Sequence, residues 1–476
     1  MRAITTIIGK LIRAGVRIKS QGSSFPGFIV EKLNPSYLKK SLDLLPFGVV
    51  IISGTNGKTT TTKIVSALLQ SQGLRVFTNP TGSNFIRGVI SAIVEKATIR
   101  GNLNYDIAVL ELDEAYAELF VKQYKPKYSL ILNVARDQLD RFGEIDKTAS
   151  MLNAVTKSTT DLVVLNANDT NVSNLESSAH KSYFDIDKSL KKLFLNDDEL
   201  HGKNKSRKKN MPAKNSIKSI ITNLTLTEDT VCKLLKIKSD VTENAAQIEY
   251  SGKKYSFTPA LSGVYNLYNA TAALALVVQV LNNINFEKNI NSKTDANPKE
   301  NVNFESLLKN LEKIKPAFGR GEKFEIGNKT LELILVKNPA GFRLSLASYP
   351  IECDTKIAIA INDNYADSRD ISWLWDVDFT SLNAENTDAK NINISTAGTR
   401  AWDMALRLAH DKIKVSYVEE NIKAALELLL NGKSNDNNNN DNSNKKQTIR
   451  VFASYTAMLE IRKALRKWTA IEEAGA

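Results

Sequence analysis

The 476-residue sequence predicts an α/β protein with a mostly parallel sheet, followed by a second, smaller α/β unit. Three observations support this fold class. Short β-branched runs alternate with helical patterns in the first half of the chain, and a glycine-rich turn joins one such run to a helix. The alternation resumes after residue 322. Strands that alternate with helices pair in parallel and are covered by helices on both faces.

The individual elements follow from these patterns. Strands of the first unit are predicted at Val49–Ser53, Leu74–Thr78, Ile107–Leu112, Ser129–Val134 and Leu162–Asn166. A hairpin that turns at Ser251-Gly252 and a long apolar helix near Leu267–Leu281 come next. Strands of the second unit are predicted at Leu331–Val336, Lys356–Ile361, Ile392–Thr396, Lys414–Val418 and Thr448–Phe452.

These elements suggest three regions. Residues 1–45 hold a basic amphipathic helix and a linker, 46–321 a nucleotide-binding domain, and 322–476 a smaller α/β domain. Residues 187–260 interrupt the alternation and are interpreted as an insertion with a hairpin. Two Asn-rich stretches, 283–303 and 431–446, have few apolar residues to bury and are predicted to be loops.

The net charge of +12 is concentrated in two places. The N-terminal helix has basic residues and no acid, so either it lies on an anionic membrane surface or it packs on the protein with its basic face in water. Residues 203–218 hold seven Lys/Arg without interleaved aromatic residues, which favours a solvated insertion over nucleic-acid binding. Two distant cysteines exclude a disulfide framework and fit a reducing cytoplasm. The longest wholly apolar stretches, such as Ala272–Val278, are much too short to span a bilayer.

A phosphate-binding loop lies between the strand Val49–Ser53 and the helix that begins at Lys58. Its glycines let the backbone N–H groups face phosphate oxygens, Lys58 reaches the β- and γ-phosphates, and the Thr59 hydroxyl can bind Mg²⁺. The loop residues expected to bind the nucleotide are Gly54, Thr55, Asn56, Gly57, Lys58, Thr59 and Thr60.

Two more polar segments follow predicted strands. Glu111 ends the strand that starts at Ile107, and carboxylate oxygen is a ligand that Mg²⁺ prefers, so Glu111 is a natural partner for Thr59. The neighbouring Glu114 suits a helix N-terminus instead. The charged loop between Asn133 and Glu144 follows the next strand and is expected at the same sheet edge.

Six motifs in this order resemble the central ATP-binding domain of Mur ligases: GTNGKTTTT, LELDEA, LNVARDQLDRFGE, LNANDT, LSGVYNLYNATAALAL and FGRGEKF. The C-terminal half resembles MurT-type synthetase subunits through LVKNPAGFR, INDNYADSRDISWLWDVDF and AGTRAWDMALRL. The resemblance covers nearly the whole chain apart from the Asn-rich stretches.

The resemblance implies further site residues. Asn269 would contact the adenine, Arg320 would reach the nucleotide from the interdomain linker, and Lys337 and Asn338 would face it from the C-terminal domain. Asp370 would complete the catalytic triad of a GatD-like glutaminase, because a carboxylate beside a histidine orients it to activate a cysteine. Asn269, Lys337 and Asp370 could instead be a helix-surface residue, a solvated lysine and a turn residue.

The chain also departs from the family pattern. Many MurT proteins carry four cysteines that form a zinc ribbon, whereas residues 187–260 contain only Cys232 and His201, so no zinc is predicted. Gln138 stands where many Mur ligases have a metal-binding histidine, Ser368 replaces a usual glycine, and Thr81-Gly82-Ser83-Asn84 differs from an acidic version of that loop.

The activity that the resemblance implies is ATP- and Mg²⁺-dependent amidation of the D-glutamate α-carboxylate of lipid II through an acyl-phosphate. Ammonia would come from a GatD-like glutaminase in a heterodimer, at the inner face of the cytoplasmic membrane. A stand-alone Mur-like amino acid ligase and a non-enzymatic ATP-binding partner are the alternatives. A basic nucleic-acid-binding ATPase would rest on the net charge alone.

Overall fold

The computed structural model describes residues 2–19, 24–79, 83–135, 145–194, 230–239, 244–260, 263–292, 302–314, 320–349, 355–367, 369–383, 392–431 and 447–471. These residues form two sheets, each with hydrophobic clusters on both faces. The predicted fold class, a mostly parallel α/β protein with a second α/β unit, is confirmed.

The larger sheet has nine strands: β1 (Val49–Ser53), β2 (Val76–Thr78), β3 (Ile107–Glu111), β4 (Tyr128–Ile131), β5 (Leu162–Asn166), β6 (His180–Ile186), β7 (Thr230–Ser239), β8 (Asn244–Tyr250) and β9 (Lys253–Phe257). Their order is β2-β3-β1-β4-β5-β6-β7-β8-β9. All neighbours from β2 to β7 pair in parallel, and β7, β8 and β9 pair antiparallel. The five predicted strands of this unit are confirmed, with ends that differ by up to three residues.

Helices cover both faces of this sheet. Val50 and Ile52 of β1 point into one cluster and Val49 and Ile51 into the other, because side chains alternate along a strand. The helices are α1 (Arg2–Lys19), α2 (Phe25–Leu33), α3 (Tyr37–Leu42), α4 (Lys58–Ser71), α5 (Ile86–Lys96), α6 (Glu114–Val121), α7 (Ile145–Ser158), the short α8 (Thr170–Ser173), α9 (Val264–Ser292) and α10 (Phe304–Leu311). Helices α4, α9 and α10 pack on one face, and α2, α3 and α5 to α8 on the other.

The long helix α9 corrects one prediction. The stretch 283–303 was predicted to be a loop, but residues 283–292 continue α9. Ile284 is buried in the core and Glu287 pairs with Lys127, so this segment has packing that its Asn-rich composition does not indicate. In the part of the chain that the structure describes, α9 is also the one helix long and apolar enough to cross a membrane, yet 83% of its most apolar window is buried. It is a core helix.

The region 187–260 adds strands to the sheet. The predicted hairpin is confirmed as β8 and β9, with Ser251 and Gly252 at positive φ in the turn. Strand β7 has no counterpart among the predicted strands, because its register against β8 shifts between Leu234 and Lys236 and the shift breaks the alternation of apolar residues. The basic stretch 203–218 lies outside the described residues.

The smaller sheet has six strands: β10 (Arg320–Ile326), β11 (Lys329–Leu335), β12 (Lys356–Ala360), β13 (Asn393–Ala397), β14 (Tyr417–Glu419) and β15 (Gln447–Ala453). Their order is β10-β11-β15-β12-β13-β14, and only β10 and β11 pair antiparallel. Its helices are α11 (Pro339–Ser348), α12 (Ala401–His410), α13 (Ile422–Asn431) and α14 (Tyr455–Leu465). The second sheet therefore begins at Arg320, just ahead of the predicted boundary at residue 321, and most of the second Asn-rich stretch, 432–446, is outside the described residues.

Candidate active site

The turn between β1 and α4 can only be built with glycine at two positions. Gly54 and Gly57 have φ values of 129° and 91°, where side chains are strained. A Cβ on Gly54 would lie 2.9 Å from the backbone of Asn133, and one on Gly57 would lie 2.4 Å from Oδ1 of Asn269. The loop therefore passes close to both asparagines, and α4 begins immediately after it at Lys58.

Asn133 holds this loop in place. The side chain of Asn133 accepts a hydrogen bond from the Asn56 backbone N–H at 2.9 Å and donates one to the Asn56 carbonyl at 3.0 Å. Its carbonyl accepts from the Thr55 N–H at 3.0 Å. The first backbone N–H groups of α4 thus have a fixed position at the carboxyl end of β1, which is the arrangement that binds phosphate.

Lys58 is buried between two carboxylates. Its Nζ lies 2.9 Å from Oδ1 of Asp113 and 3.2 Å from Oε2 of Glu114. Glu114 also accepts from the Thr55 hydroxyl at 3.2 Å. A buried ammonium needs such partners. From the sequence, Glu114 was expected only at a helix N-terminus, and the missed signal is its position three residues after Glu111, at the same sheet edge.

Thr59 and Glu111 are brought together as predicted by their positions. The Thr59 hydroxyl donates to Oε1 of Glu111 at 2.8 Å, and both residues are buried. Asn79 fixes Glu111 by accepting from its N–H and donating to its carbonyl, both at 2.9 Å. Two adjacent oxygen ligands suit Mg²⁺, which takes its remaining ligands from water and phosphate. Within the described residues, no group of three or more His, Cys, Asp or Glu could hold a metal.

A cleft of about 790 Å³, its open mouth included, lies beside the loop. Asn269 of α9 lines this cleft, and its buried Nδ2 has no hydrogen-bond partner, so a donor is available at this place. Tyr268 places its ring edge-on to Phe184 and donates its hydroxyl to Asn166. The lining also includes Phe194, Tyr265, Leu335, Lys337, Leu344 and Ser345. The cleft is apolar on one side and polar at the loop, as ligand sites commonly are.

The second sheet contributes the opposite wall. Asn338 caps α11 by accepting from the Gly341 N–H at 2.8 Å, and its Nδ2 donates to Oδ1 of Asn56 at 3.0 Å. This hydrogen bond joins the phosphate loop directly to the C-terminal unit. Lys337, the preceding residue, lines the cleft. Arg320 begins β10, and its side chain is outside the described residues.

Asp370 is not among the residues that line this cleft. It is exposed, and its Oδ1 accepts from the Ser372 N–H at 2.8 Å. Asp367, by contrast, is buried and accepts hydrogen bonds from the backbone N–H and the hydroxyl of Thr456 at the start of α14. The loop that carries Asp370 is therefore anchored to α14 through Asp367, a residue for which no role was predicted.

The remaining site predictions fall on other parts of the chain. Gln138 with its charged loop, Thr81, Gly82, His201 and Ser368 lie outside the described residues. Cys232 is buried in β7, where burial raises the pKa of its thiol, so it is unsuited to act as a thiolate. The absence of zinc stays a prediction.

Comparisons with known proteins agree with this architecture. A family profile described as Mur ligase middle domain matches residues 52–277, and one described as MurT ligase C-terminal matches residues 335–458. The chain is 29% identical over 463 residues to a Streptococcus pneumoniae protein named lipid II isoglutaminyl synthase (glutamine-hydrolyzing) subunit MurT, covering 94% of this chain and 92% of the relative. It is also 29% identical to the MurT subunit of the same name from Staphylococcus aureus, covering 88% of this chain and 90% of the relative.

Solved structures share the fold at low identity. MurF from Acinetobacter baumannii superposes with a TM-score of 0.61 at 15% identity, covering 92% of this chain and 79% of that one. MurF from Thermotoga maritima, solved with ADP, has a TM-score of 0.61 at 13% identity, with 92% and 84% covered. Folylpolyglutamate synthase from Mycobacterium tuberculosis has a TM-score of 0.54 at 13% identity, with 93% and 94% covered.

The fold and the loop site together define a P-loop protein with the architecture of Mur ligases. Both relatives cover most of the chain, and the two profiles match its two units in the expected order. The chain belongs to the Mur ligase family and, within it, to the MurT subunits.

Proposed function

We propose that the chain is the ATP-dependent synthetase subunit of a lipid II isoglutaminyl synthase. It would amidate the α-carboxylate of D-glutamate in the lipid II stem peptide, with ammonia released from glutamine by a GatD-like glutaminase. The observation that carries this proposal is the pair of surfaces: a phosphate loop clamped to the C-terminal unit by Asn338, and an exposed Asp370 outside the cleft. The names of the MurT relatives support the same substrate.

The chemistry balances without a further reactant. A carboxylate oxygen attacks the γ-phosphorus of ATP, the bond to the β-phosphate oxygen breaks, and ADP and an acyl-phosphate form. Ammonia then attacks the acyl carbon, the carbon–oxygen bond to phosphate breaks, and the amide, inorganic phosphate and a proton result.

The chain's own residues have separable tasks in this scheme. Lys58 would leave Asp113 and Glu114 to neutralise the phosphoryl group in transfer, and the N–H groups of Gly57 to Thr60 would hold its oxygens. Asn269 would donate its unpartnered Nδ2 to the nucleotide, and Lys337, Asn338 and Arg320 would face it from the C-terminal side. Thr59 and Glu111 would hold Mg²⁺, which supplies charge neutralisation between the phosphates.

Exposed apolar side chains lie on α12 and on both sides of Asp370 in the chain, and they favour a protein partner. Trp402 and Leu406 lie one turn apart on α12, and both are more than half exposed. Trp375 is half-exposed, and its ring packs against His410 at the end of α12. Tyr365, in the loop before Asp370, is 84% exposed. Clustered exposed aromatic residues mark protein interfaces. We infer that a glutaminase binds here and that Asp370 orients its catalytic histidine.

Lipid II is membrane-anchored, so the proposed reaction takes place in the cytoplasm at the inner face of the membrane, without nucleic acid. The test is reconstitution: the purified chain, a GatD-like glutaminase, lipid II, ATP, Mg²⁺ and glutamine, with amidated lipid II measured by mass spectrometry. Product is expected only when both proteins are present. Equal product without the glutaminase would favour a stand-alone ligase, and no product with either glutamine or ammonium would favour a non-enzymatic ATP-binding partner.

A further inference from the structure

The N-terminal helix α1 packs on the protein through small and polar residues. The Thr6 and Tyr37 hydroxyls lie 2.8 Å apart, and the Thr5 hydroxyl accepts from the Asn34 amide at 3.3 Å. Gly9 lies so close to Val30 and Val94 that an added Cβ would come within 2.9 Å of both. The fully buried contacts of α1 are therefore made by Thr5, Thr6 and Gly9, whereas the apolar Ile8 and Ile12 are only half-buried.

Part of the apolar side of α1 faces outward. Ile4, Ile7 and Leu11 recur at helical spacing, and they are 64%, 44% and 68% exposed. We call these three residues the α1 stripe. A helix that packs only on its own protein buries such a stripe, because exposing it to water is unfavourable. In α1 the stripe is apolar in sequence but exposed in the structure, which indicates that an apolar surface outside the chain covers it.

The surroundings of the α1 stripe are strongly basic. Helices α1, α2 and α5 pack together. Nine basic and two acidic residues lie in segments 2–19, 25–33 and 86–102, a surplus of seven positive charges where the whole chain has a net charge of +12. Both acidic residues are already paired: Glu95 with Arg13 at 2.5 Å and Glu31 with Arg87 at 2.9 Å. Lys96 and Arg100 remain exposed close by. By sequence, these segments therefore carry a surplus of positive charge beside the α1 stripe.

We propose that the α1 stripe is a docking surface for an anionic phospholipid bilayer. An amphipathic helix with an apolar face and basic flanks lies in the plane of the membrane interface and gains from both contacts. The positive surplus makes a second copy of the same surface an unfavourable partner, because a two-fold contact would bring like charges together. Binding of the α1 stripe to a membrane does not depend on the proposed amidation.

The test is vesicle binding by the full chain without nucleotide. Sedimentation with phosphatidylglycerol vesicles and with phosphatidylcholine vesicles compares an anionic with a neutral surface. Binding is expected to the anionic vesicles and to weaken as salt rises. Ile4→Gln combined with Leu11→Gln should lower that binding by about tenfold or more, since it removes apolar contacts while keeping a good helix former.

The matched control is Leu119→Gln combined with Leu428→Gln, two exposed leucines on α6 and α13. This control should bind vesicles as the unchanged chain does, and both pairs should melt within a few degrees of it, because all four side chains are exposed. Equal binding by both pairs, or no binding to anionic vesicles, would overturn the proposal. A dimer in gel filtration that the Ile4/Leu11 pair abolishes would assign the stripe to self-association instead.

Because the assay contains neither ATP nor glutamine, its failure is distinct from failure of the proposed function. Amidation of detergent-solubilised lipid II gives the complementary readout. The Ile4/Leu11 pair should keep its activity in detergent and lose activity on lipid II embedded in anionic vesicles, whereas the control pair should keep both.

Discussion

The two sheets both place polar residues where parallel strands end, but they do so in opposite ways. In the larger sheet, the carboxylates that follow β3 are buried and hold the buried cation Lys58 and the hydroxyl of Thr59. In the smaller sheet, the loop after β12 buries Asp367 as an anchor and exposes Asp370. The first arrangement, which we call the inward site, suits a small anionic ligand. The second, which we call the outward site, suits a protein partner. Under the proposed function, the carboxyl ends of parallel strands would thus bind a nucleotide in one sheet and a protein in the other.

Substitution of Lys58, in the inward site, is expected to change activity the most. Lys58→Met should lower amidation by about a thousandfold or more with either glutamine or ammonium, because the transferring phosphoryl group loses its cation. Lys63→Met, on the exposed side of the same helix, is the control and should stay active. Steady-state product formation measures both.

Lys58→Met also leaves Asp113 and Glu114 without their buried partner, so instability must be separated from lost chemistry. Adding Glu114→Gln removes one of these charges. If this double variant melts near the unchanged chain and regains activity, the cation is not needed for catalysis and the assignment fails.

Substitution of Asp367 tests the outward site and is expected to have the next largest effect on activity. Asp367→Ala should lower glutamine-driven amidation by about tenfold to a hundredfold, because the loop carrying Asp370 loses its anchor on Thr456, whereas the cleft residues are unchanged. Ammonium-driven activity should fall by less than about twofold, because this activity does not depend on the loop that carries Asp370. Asp146→Ala, at an exposed position on α7, is the control. An equal loss with both nitrogen donors would show that Asp367 supports the whole fold instead.

Asn338 tests the link between the two sheets. Asn338→Ala removes both the α11 cap and the hydrogen bond to Asn56, whereas Asn338→Ser keeps a capping hydroxyl. Both variants should raise KM for ATP by about tenfold, which corresponds to one lost hydrogen bond of about 1.4 kcal/mol. Only the alanine variant should also lose about 1 kcal/mol of stability. An unchanged KM in the serine variant would mean that the contact does not aid nucleotide binding.

The smallest effect concerns Asp363, which pairs with Arg400 at 2.7 Å. Burial raises its pKa, but hydrogen bonds from Thr399 and Arg400 outweigh this and hold the pKa of Asp363 below its ordinary 3.8. A lowered pKa in the folded state contributes stability above pH 3.8, and this contribution is lost as the pH falls through the folded value. Asp363→Asn should therefore be slightly less stable in urea at neutral pH, and the gap should close in acid. A gap that widens in acid would contradict the stated direction.

The sequence predicted the inward site better than its surroundings. Gly54 to Thr60 and Glu111 follow strands whose apolar runs are unmistakable, so the chain order alone brought them to one edge. Glu114 and Asn133 were harder, because their roles depend on which side chain lies opposite across the sheet. Strand β7 was hidden by its register shift, and α9 extends to Ser292 through contacts of Ile284 and Glu287 that composition does not reveal.

The N-terminal helix shows the same limit. Its amphipathic pattern was readable, but the pattern could not tell which face packs on the protein. The structure places Gly9 and Thr6 inward and Ile4 and Leu11 outward, which a rule that apolar faces turn to the core would not predict. The close approach of Gly9 to Val30 and Val94 fits this orientation.

The most direct test of the division between inward and outward sites is Asp370→Asn assayed with two nitrogen donors. Asparagine keeps the size of the side chain and the hydrogen bond from Ser372 but removes the charge that would orient a partner histidine. Glutamine-driven amidation of lipid II should fall by about a thousandfold or more, while ammonium-driven amidation stays within about twofold. Equal activity of the variant and the unchanged chain with glutamine, or an equal loss with both donors, would contradict the account.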